Sequence, residues 1–266
     1  MGGYRILFIG DIVGKPGRQI LREGLPSLRQ THDPLFVIAN GENAAGGVGI
    51  TPDIAEEILS QGVDAITLGN HAFHKREIYP YLDSGRPIVR PSNMPPGVPG
   101  SGLVTIERSG IRLAVMNLCG RVFLDTYDDP FREIDRLIAG LDTPHRFVDF
   151  HAEASSEKQA FAFYVDGRVS AVVGTHTHVQ TADERLLEGG TATITDAGMT
   201  GPVPSVIGMD RDIILKRFLT GMPHRFDVAV QPGVICGVVV EIDEDSGLAL
   251  GIERFQFGER AAGSQR

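Results

Sequence analysis

Arg5-Ile6-Leu7-Phe8-Ile9-Gly10-Asp11 is the stretch on which the fold turns: a short apolar run, a glycine, then a carboxylate. A run of this length with no polar alternation reads as a strand buried on both faces. Behind it Pro16–Arg29 reads as a helix with proline near its start. The unit then recurs. Leu35–Ala39 is a second strand, Thr51 and Pro52 open a helix running to Gln61, and Ala65–Leu68 is a third strand followed by a helix near Lys75–Leu82. Strand–helix repetition at this spacing predicts an α/β fold with helices on both faces of a sheet.

The middle of the chain changes character. Pro87–Gly102 is rich in Pro, Gly and Ser and reads as a loop; Leu103–Glu107 and Ile111–Leu118 read as a hairpin. Helices are expected at Asp129–Gly140, Ser155–Val165 and Asp210–Leu219, and strands at Phe147–Phe150, Val169–Val173 and Thr191–Thr195. Gly198–Gly208 reads as a second loop, Val234–Ile242 with Leu248–Phe257 as a closing hairpin, and Gly258–Arg266 as a frayed end. The two loops are candidates for substrate or subunit contacts. No internal repeat interrupts the pattern, so 1–266 reads as a single domain, with its strands in one sheet or in two stacked face to face.

Composition narrows the function. With 25 basic against 34 acidic residues the net charge is -9, which disfavours a protein that tracks nucleic-acid backbone. The absence of Trp and the scarcity of Tyr argue against a base-stacking surface as well. A small anionic substrate stays open, because bound cations dominate a local field. No stretch approaches the roughly 20 apolar residues of a membrane span, and no signal-peptide hydrophobic region precedes Asp11. Cys119 and Cys236 stand alone in apolar runs, which reads as buried free thiols in a reducing compartment, the cytoplasm.

The informative pattern lies at the strand ends. Gly10-Asp11 follows the first strand, Asn40-Gly41-Glu42-Asn43 the second and Gly69-Asn70-His71 the third; His151 follows Phe147–Phe150, and Gly174-Thr175-His176-Thr177-His178 follows Val169–Val173. Ligands of open α/β sheets gather at the carboxyl ends of strands, so these segments are expected to converge. Each alone has a plain structural reading: Asp11 as a helix cap, Glu42-Asn43 as turn residues, His71 as an exposed imidazole in a tight turn. His176 and His178, two apart in extended chain, are expected to project on one side. Carboxylates, amides and imidazoles without a thiolate suit Fe, Mn or Zn, and seven candidate ligands suit two ions sharing a carboxylate. His32, His74, His145 and His224 read as surface residues.

These blocks resemble those of the calcineurin-like metallophosphoesterase superfamily, with departures: Val13, Glu42, Ala72 and Thr175 stand where other residues are usual. The departures match the bacterial YmdB-like branch, which is similar to 2′,3′-cyclic nucleotide 2′-phosphodiesterases. Its wording includes Ile-Gly-Asp-Ile-Val-Gly-Lys-Pro-Gly-Arg, Asn-Gly-Glu-Asn-Ala-Ala-Gly-Gly and Gly-Thr-His-Thr-His. The resemblance implies a four-layer sandwich, two central mixed β-sheets flanked by helices. It implies a first metal on Asp11, Glu42, Asn43 and His178, with Glu42 bridging to a second on Asn70, His151 and His176. His71 becomes a proton donor, iron the metal (with manganese or zinc as substitutes), and attack of a metal-bridging hydroxide on a cyclic nucleotide the reaction.

Other readings remain: a phosphomonoesterase or phosphoprotein phosphatase with the same centre, or a metal-stabilised regulatory protein with incidental activity. A homo-oligomer is compatible with any of them, and no substrate-contacting residue is assigned.

Overall fold

The opening apolar run is the strand Gly3–Ile9, and its alternate side chains enter two separate cores. Ile6 and Phe8 pack with Phe36, Val115, Phe147, Val173 and Val238, while Leu7 and Ile9 pack with Leu21, Leu25 and Ile58 on helices Gly14–His32 and Pro52–Ser60. A strand presents successive residues to opposite faces, which explains why no polar residue interrupts residues 6–9 of this one. Phe8 is fully buried and tilts against Phe147 at 5.3 Å between ring centroids, so Phe8→Ala would cost about 3–5 kcal/mol.

The computed structural model describes residues 2–230 and 232–258 and contains two mixed sheets. In spatial order the first is Asp11–Ile12, Met199–Pro202, Gly233–Asp243, Gly3–Ile9, Phe36–Asn40, Ala65–Thr67 and Ile88–Val89, with Ala249–Gly258 also paired to Gly233–Asp243. The second is Arg185–Leu186, Ala192–Ile194, Ala171–Thr175, Arg146–His151, Ile111–Cys119 and Leu103–Arg108. One core fills the space between the sheets; a third core packs Met116, Val148 and Phe150 against Ile134, Leu137 and Phe161 of helices Pro130–Ala139 and Ser155–Tyr164. Helices therefore flank both sheets, as the four-layer expectation required. Gly3–Ile9, Phe36–Asn40 and Ala65–Thr67 run parallel, as do Ile111–Cys119, Arg146–His151 and Ala171–Thr175. Each sheet thus gathers its carboxyl ends along one edge.

Several expectations need correction. Gly198–Gly208 is not all loop: Met199–Pro202 is a strand pairing antiparallel with Gly233–Asp243 and parallel with Asp11–Ile12. Its Gly and Pro disguise it, yet Gly17 of the first helix packs so close to Thr200 that a Cβ there would strike the Thr200 carbonyl oxygen. Pro87–Gly102 likewise contains the short strand Ile88–Val89. The helix expected near Lys75–Leu82 spans only Ile78–Leu82, with hydrogen-bonded turns before it. His145 is buried, 3.2 Å from the Tyr4 hydroxyl through Nδ1, because its strand begins inside the inter-sheet core. His32 and His224 are half-buried, and of the four only His74 is exposed as expected. Cys119 is a buried free thiol, and Cys236 is buried as well. Residues 259–266 of the expected frayed end lie outside the described residues.

Candidate metal centre

All seven expected ligands and His71 meet where the two carboxyl edges face each other. His151, the last residue of its strand, is wholly buried. Its Nε2 lies 3.2 Å from Glu42 Oε1, 2.9 Å from Asn70 Oδ1 and 3.0 Å from His176 Nδ1. Four lone-pair-bearing atoms thus crowd one point, and a single proton can join only two of them. Ligand atoms at right angles around an ion with bonds of about 2.1 Å sit about 3 Å apart, so the spacing is that of a coordination sphere. Glu42, His151 and His176 form the group whose ligand atoms all lie within 4.8 Å of one another.

A second group adjoins the first. His178 Nε2 stands 3.1 Å from the Asn43 amide nitrogen and 4.0 Å from Asp11 Oδ1. Asp11 is fully buried, and its Oδ1 has no hydrogen-bond partner among the described residues, although Oδ2 accepts from the His176 backbone at 3.3 Å. An orphaned buried carboxylate oxygen is costly unless a cation completes it. Glu42 stands between the groups: Oε1 accepts from Asn43 Nδ2 at 3.1 Å and Oε2 from the His71 backbone at 3.0 Å. Asn43 Oδ1 lies 2.7 Å from His71 Nδ1. A half-turn of that amide exchanges its oxygen and nitrogen, so the side chain can offer either to the centre.

Each imidazole is held from behind through its other nitrogen. His151 Nδ1 meets Thr175 Oγ1 at 2.8 Å, His176 Nε2 meets Glu153 at 3.1 Å, and His178 Nδ1 donates to the Ile207 carbonyl at 2.9 Å. Such outer partners fix tautomer and ring orientation in metal sites. His71, whose side chain is half-buried, is held at Nδ1 by Asn43 and, at 3.3 Å, by Glu42 Oε1, with no hydrogen bond to Nε2 among the described residues.

The ionisation pattern follows from burial. Asp11 is raised to about 6 by burial, with Asp196 and Glu42 adding to the rise and His178 and His151 opposing it. Burial also opposes ionisation of Glu42, yet the charge and hydrogen bonds of His151 and His71 hold it well below the usual range. Burial would lower His151, but Glu42, Asp11 and Asp149 raise it to about 9. His176 falls to about 3, through burial and then the neighbouring His151 charge. Without a cation the cluster traps a proton among carboxylates, and a metal would displace it.

Two features of the site differ from the sequence expectation. His176 and His178 do converge, but not through extended-chain periodicity: the strand ends at Thr175, and both histidines take left-handed backbone angles, φ 99° and 64°. The glycines before the polar residues also serve differently. Gly10, Gly69 and Gly174 are absent from the residues with positive φ; each is needed for room. A Cβ on Gly10 would strike the Gly198 carbonyl, one on Gly174 the Thr195 carbonyl, and one on Gly69 would sit 2.5 Å from His151 Nε2 and closer still to Glu42. Sequence reasoning missed Glu153, Thr175 and Asp149; the signal for Asp149 was a lone carboxylate inside the apolar run Phe147–Phe150.

The chain is similar to known proteins along nearly its whole length. The profile of the family described as YmdB-like protein matches residues 7–255. The chain is 53% identical over 257 residues to the 2′,3′-cyclic-nucleotide 2′-phosphodiesterase of Bacillus subtilis, covering 96% of this chain and 97% of that one. Among solved structures, a hypothetical protein from Thermus thermophilus superposes with a TM-score of 0.89 at 44% identity, covering 96% of this chain and all of that one (100%). A phosphatase from Mycoplasma pneumoniae superposes with a TM-score of 0.92 at 33% identity, covering 97% and 94% of the two chains.

Proposed function

From the premise that the chain belongs to the YmdB-like family, we propose that it is a metal-dependent phosphodiesterase that opens 2′,3′-cyclic nucleotides at the 2′ side, leaving the 3′-nucleotide. The observation that carries the reading is the crowding of Glu42 Oε1, Asn70 Oδ1 and His176 Nδ1 around His151 Nε2, beside the orphaned Asp11 Oδ1. In this reading Asp11, Glu42, Asn43 and His178 would hold one ion, and Asn70, His151 and His176, again with Glu42, would hold a second. Their mixture of oxygen and imidazole donors without thiolate suits iron, manganese or zinc, and of these the family resemblance favours iron. When bound, two such ions activate water at neutral pH and neutralise charge on the phosphoryl oxygens.

The chain's own residues supply orientation and a proton. His71 Nδ1 faces Glu42 Oε1 and the Asn43 amide, which leaves Nε2 as the nitrogen to protonate the departing 2′ oxygen. Proton delivery by a positioned imidazole contributes about 10²–10⁴-fold in rate. Thr175, Glu153 and the Ile207 carbonyl hold the other imidazoles in the tautomers that ligation needs. Residues 1–266 act as one catalytic unit, and the buried free thiol of Cys119 supports a reducing, cytoplasmic setting.

The Mycoplasma pneumoniae relative, a phosphatase, favours a second reading in which phosphomonoesters are hydrolysed at the same centre. One assay separates the two. Iron- or manganese-loaded protein is offered 2′,3′-cyclic AMP, 3′-AMP and p-nitrophenyl phosphate at equal concentration, and products are resolved by chromatography. The proposal expects 3′-AMP to accumulate from the cyclic substrate. Preferential release of inorganic phosphate from the monoesters, or 2′-AMP as product, would contradict it.

A further inference from the structure

Asp149 is a fully buried carboxylate with no part in the chemistry above. It sits two residues before His151, at the seam between the sheets. Its Oδ1 accepts from Thr175 Oγ1 at 2.6 Å, and its Oδ2 accepts from Thr67 Oγ1 at 2.5 Å and Asn40 Nδ2 at 2.9 Å. Asn40 and Thr67 end strands of the first sheet, and Thr175 ends a strand of the second. Burying a charge in such a seam gains little or no stability over an apolar packing of the same shape. Stability therefore gives no account of this carboxylate, whereas its connections do.

Two branches lead from it to the centre. The Thr175 hydroxyl gives its only proton to Asp149, so toward His151 Nδ1, 2.8 Å away, it can only accept. That keeps the proton on Nδ1 and turns the Nε2 lone pair toward Glu42, Asn70 and His176. In the other branch the Asn40 amide gives its hydrogens to Asp149 and to the Leu68 carbonyl, leaving Oδ1 to accept from the Glu42 backbone at 3.1 Å. One side chain thus sets the tautomer of His151 and the backbone position of Glu42.

We propose that Asp149 is a positioning residue for the metal centre, acting on His151 through Thr175 and on Glu42 through Asn40. The inference rests on reading His151 and Glu42 as ligands; it is independent of the substrate.

The test is a Mn(II) titration followed by EPR, with chelator competition for affinity and thermal melting for the fold. Thr175→Val keeps the shape of the side chain and removes the relay. It is expected to weaken the ion bound through His151 by 10–100-fold and leave the other ion within about threefold, so a mononuclear signal replaces that of the coupled pair. Thr175→Ser restores the relay and with it the paired signal. Thr67→Val touches the same carboxylate but leads to no ligand; it lowers the melting temperature and changes neither affinity by more than about threefold. Asp149→Asn, which cannot accept from all three donors, reproduces the Thr175→Val loss, weakens the other ion as well through Asn40 and Glu42, and serves in place of Thr175→Val if that variant does not fold.

Wild-type affinity in Thr175→Val or Asp149→Asn, an equal loss in Thr67→Val, or no recovery in Thr175→Ser would each overturn the proposal. Because the readout is binding, inactivity of the wild type toward cyclic nucleotides would remove the substrate reading and leave this one standing.

Discussion

Gly69→Ala adds one methyl group at the point of closest packing in the centre. A Cβ there would sit 2.5 Å from His151 Cδ2 and Nε2 and closer still to Glu42 Oε2, against the 3.0 Å below which real Cβ contacts essentially never fall. Gly69 is not among the residues with positive φ, so the methyl group strains no backbone angle. The fold pays only the usual overpacking cost of about 1–3 kcal/mol. His151 and Glu42, however, must retreat by about half an ångström or more, while coordination distances tolerate only about 0.2 Å. A displacement approaching 1 Å at a reacting centre costs about 10²-fold in rate. Gly69→Ala should therefore fold, melt a few degrees low, bind less than its full complement of metal and lose about 10²-fold in kcat. Elemental analysis, circular-dichroism melting and turnover of 2′,3′-cyclic AMP on one preparation decide it. Full metal content with activity within about threefold of wild type would refute the packing argument.

Three further outcomes follow from the site. His71→Ala should keep both ions yet lose about 10²–10⁴-fold in turnover, and full activity would remove His71 from the mechanism. Glu153→Leu removes the partner of His176 Nε2 and should weaken one ion about 10–100-fold in a chelator competition; an unchanged dissociation constant would make that contact incidental. Metal affinity should also rise with pH, because ligands bind deprotonated. His151, raised to about 9, gives up one proton on ligation, so apparent affinity climbs about tenfold per pH unit between 6 and 9. Below about 6 the slope steepens as Asp11 also takes a proton, and above about 9 it flattens. Calorimetric affinities flat between these limits would contradict the assignment.

Much of this was legible in the sequence because the decisive pattern is local. An apolar run ending in a carboxylate, amide or imidazole states both a strand and the direction of its end, and parallel neighbours bring such ends together. The strand Met199–Pro202 was not legible, because its pairing with Asp11–Ile12 and Gly233–Asp243 is tertiary and its Gly and Pro imitate a loop. His145 was misread for a related reason: a proline neighbour suggests surface, while its burial depends on Tyr4, 141 residues away in sequence. The convergence of the candidate ligands was readable from residue type, but the turn at His176 and His178 depends on contacts such as Thr177 with Asp196. The network through Asp149 joins residues up to 109 positions apart and leaves only one trace in sequence, a carboxylate where an apolar side chain belongs.

The central claim is that two ions share Glu42, and anomalous diffraction from manganese-loaded crystals tests it most directly. The account predicts two peaks. One should lie about 2.0–2.3 Å from Asn70 Oδ1, His151 Nε2 and His176 Nδ1, the other at a similar distance from Asp11, Asn43 and His178, with a Glu42 oxygen reaching each. A single peak, or two peaks without Glu42 between them, would contradict it.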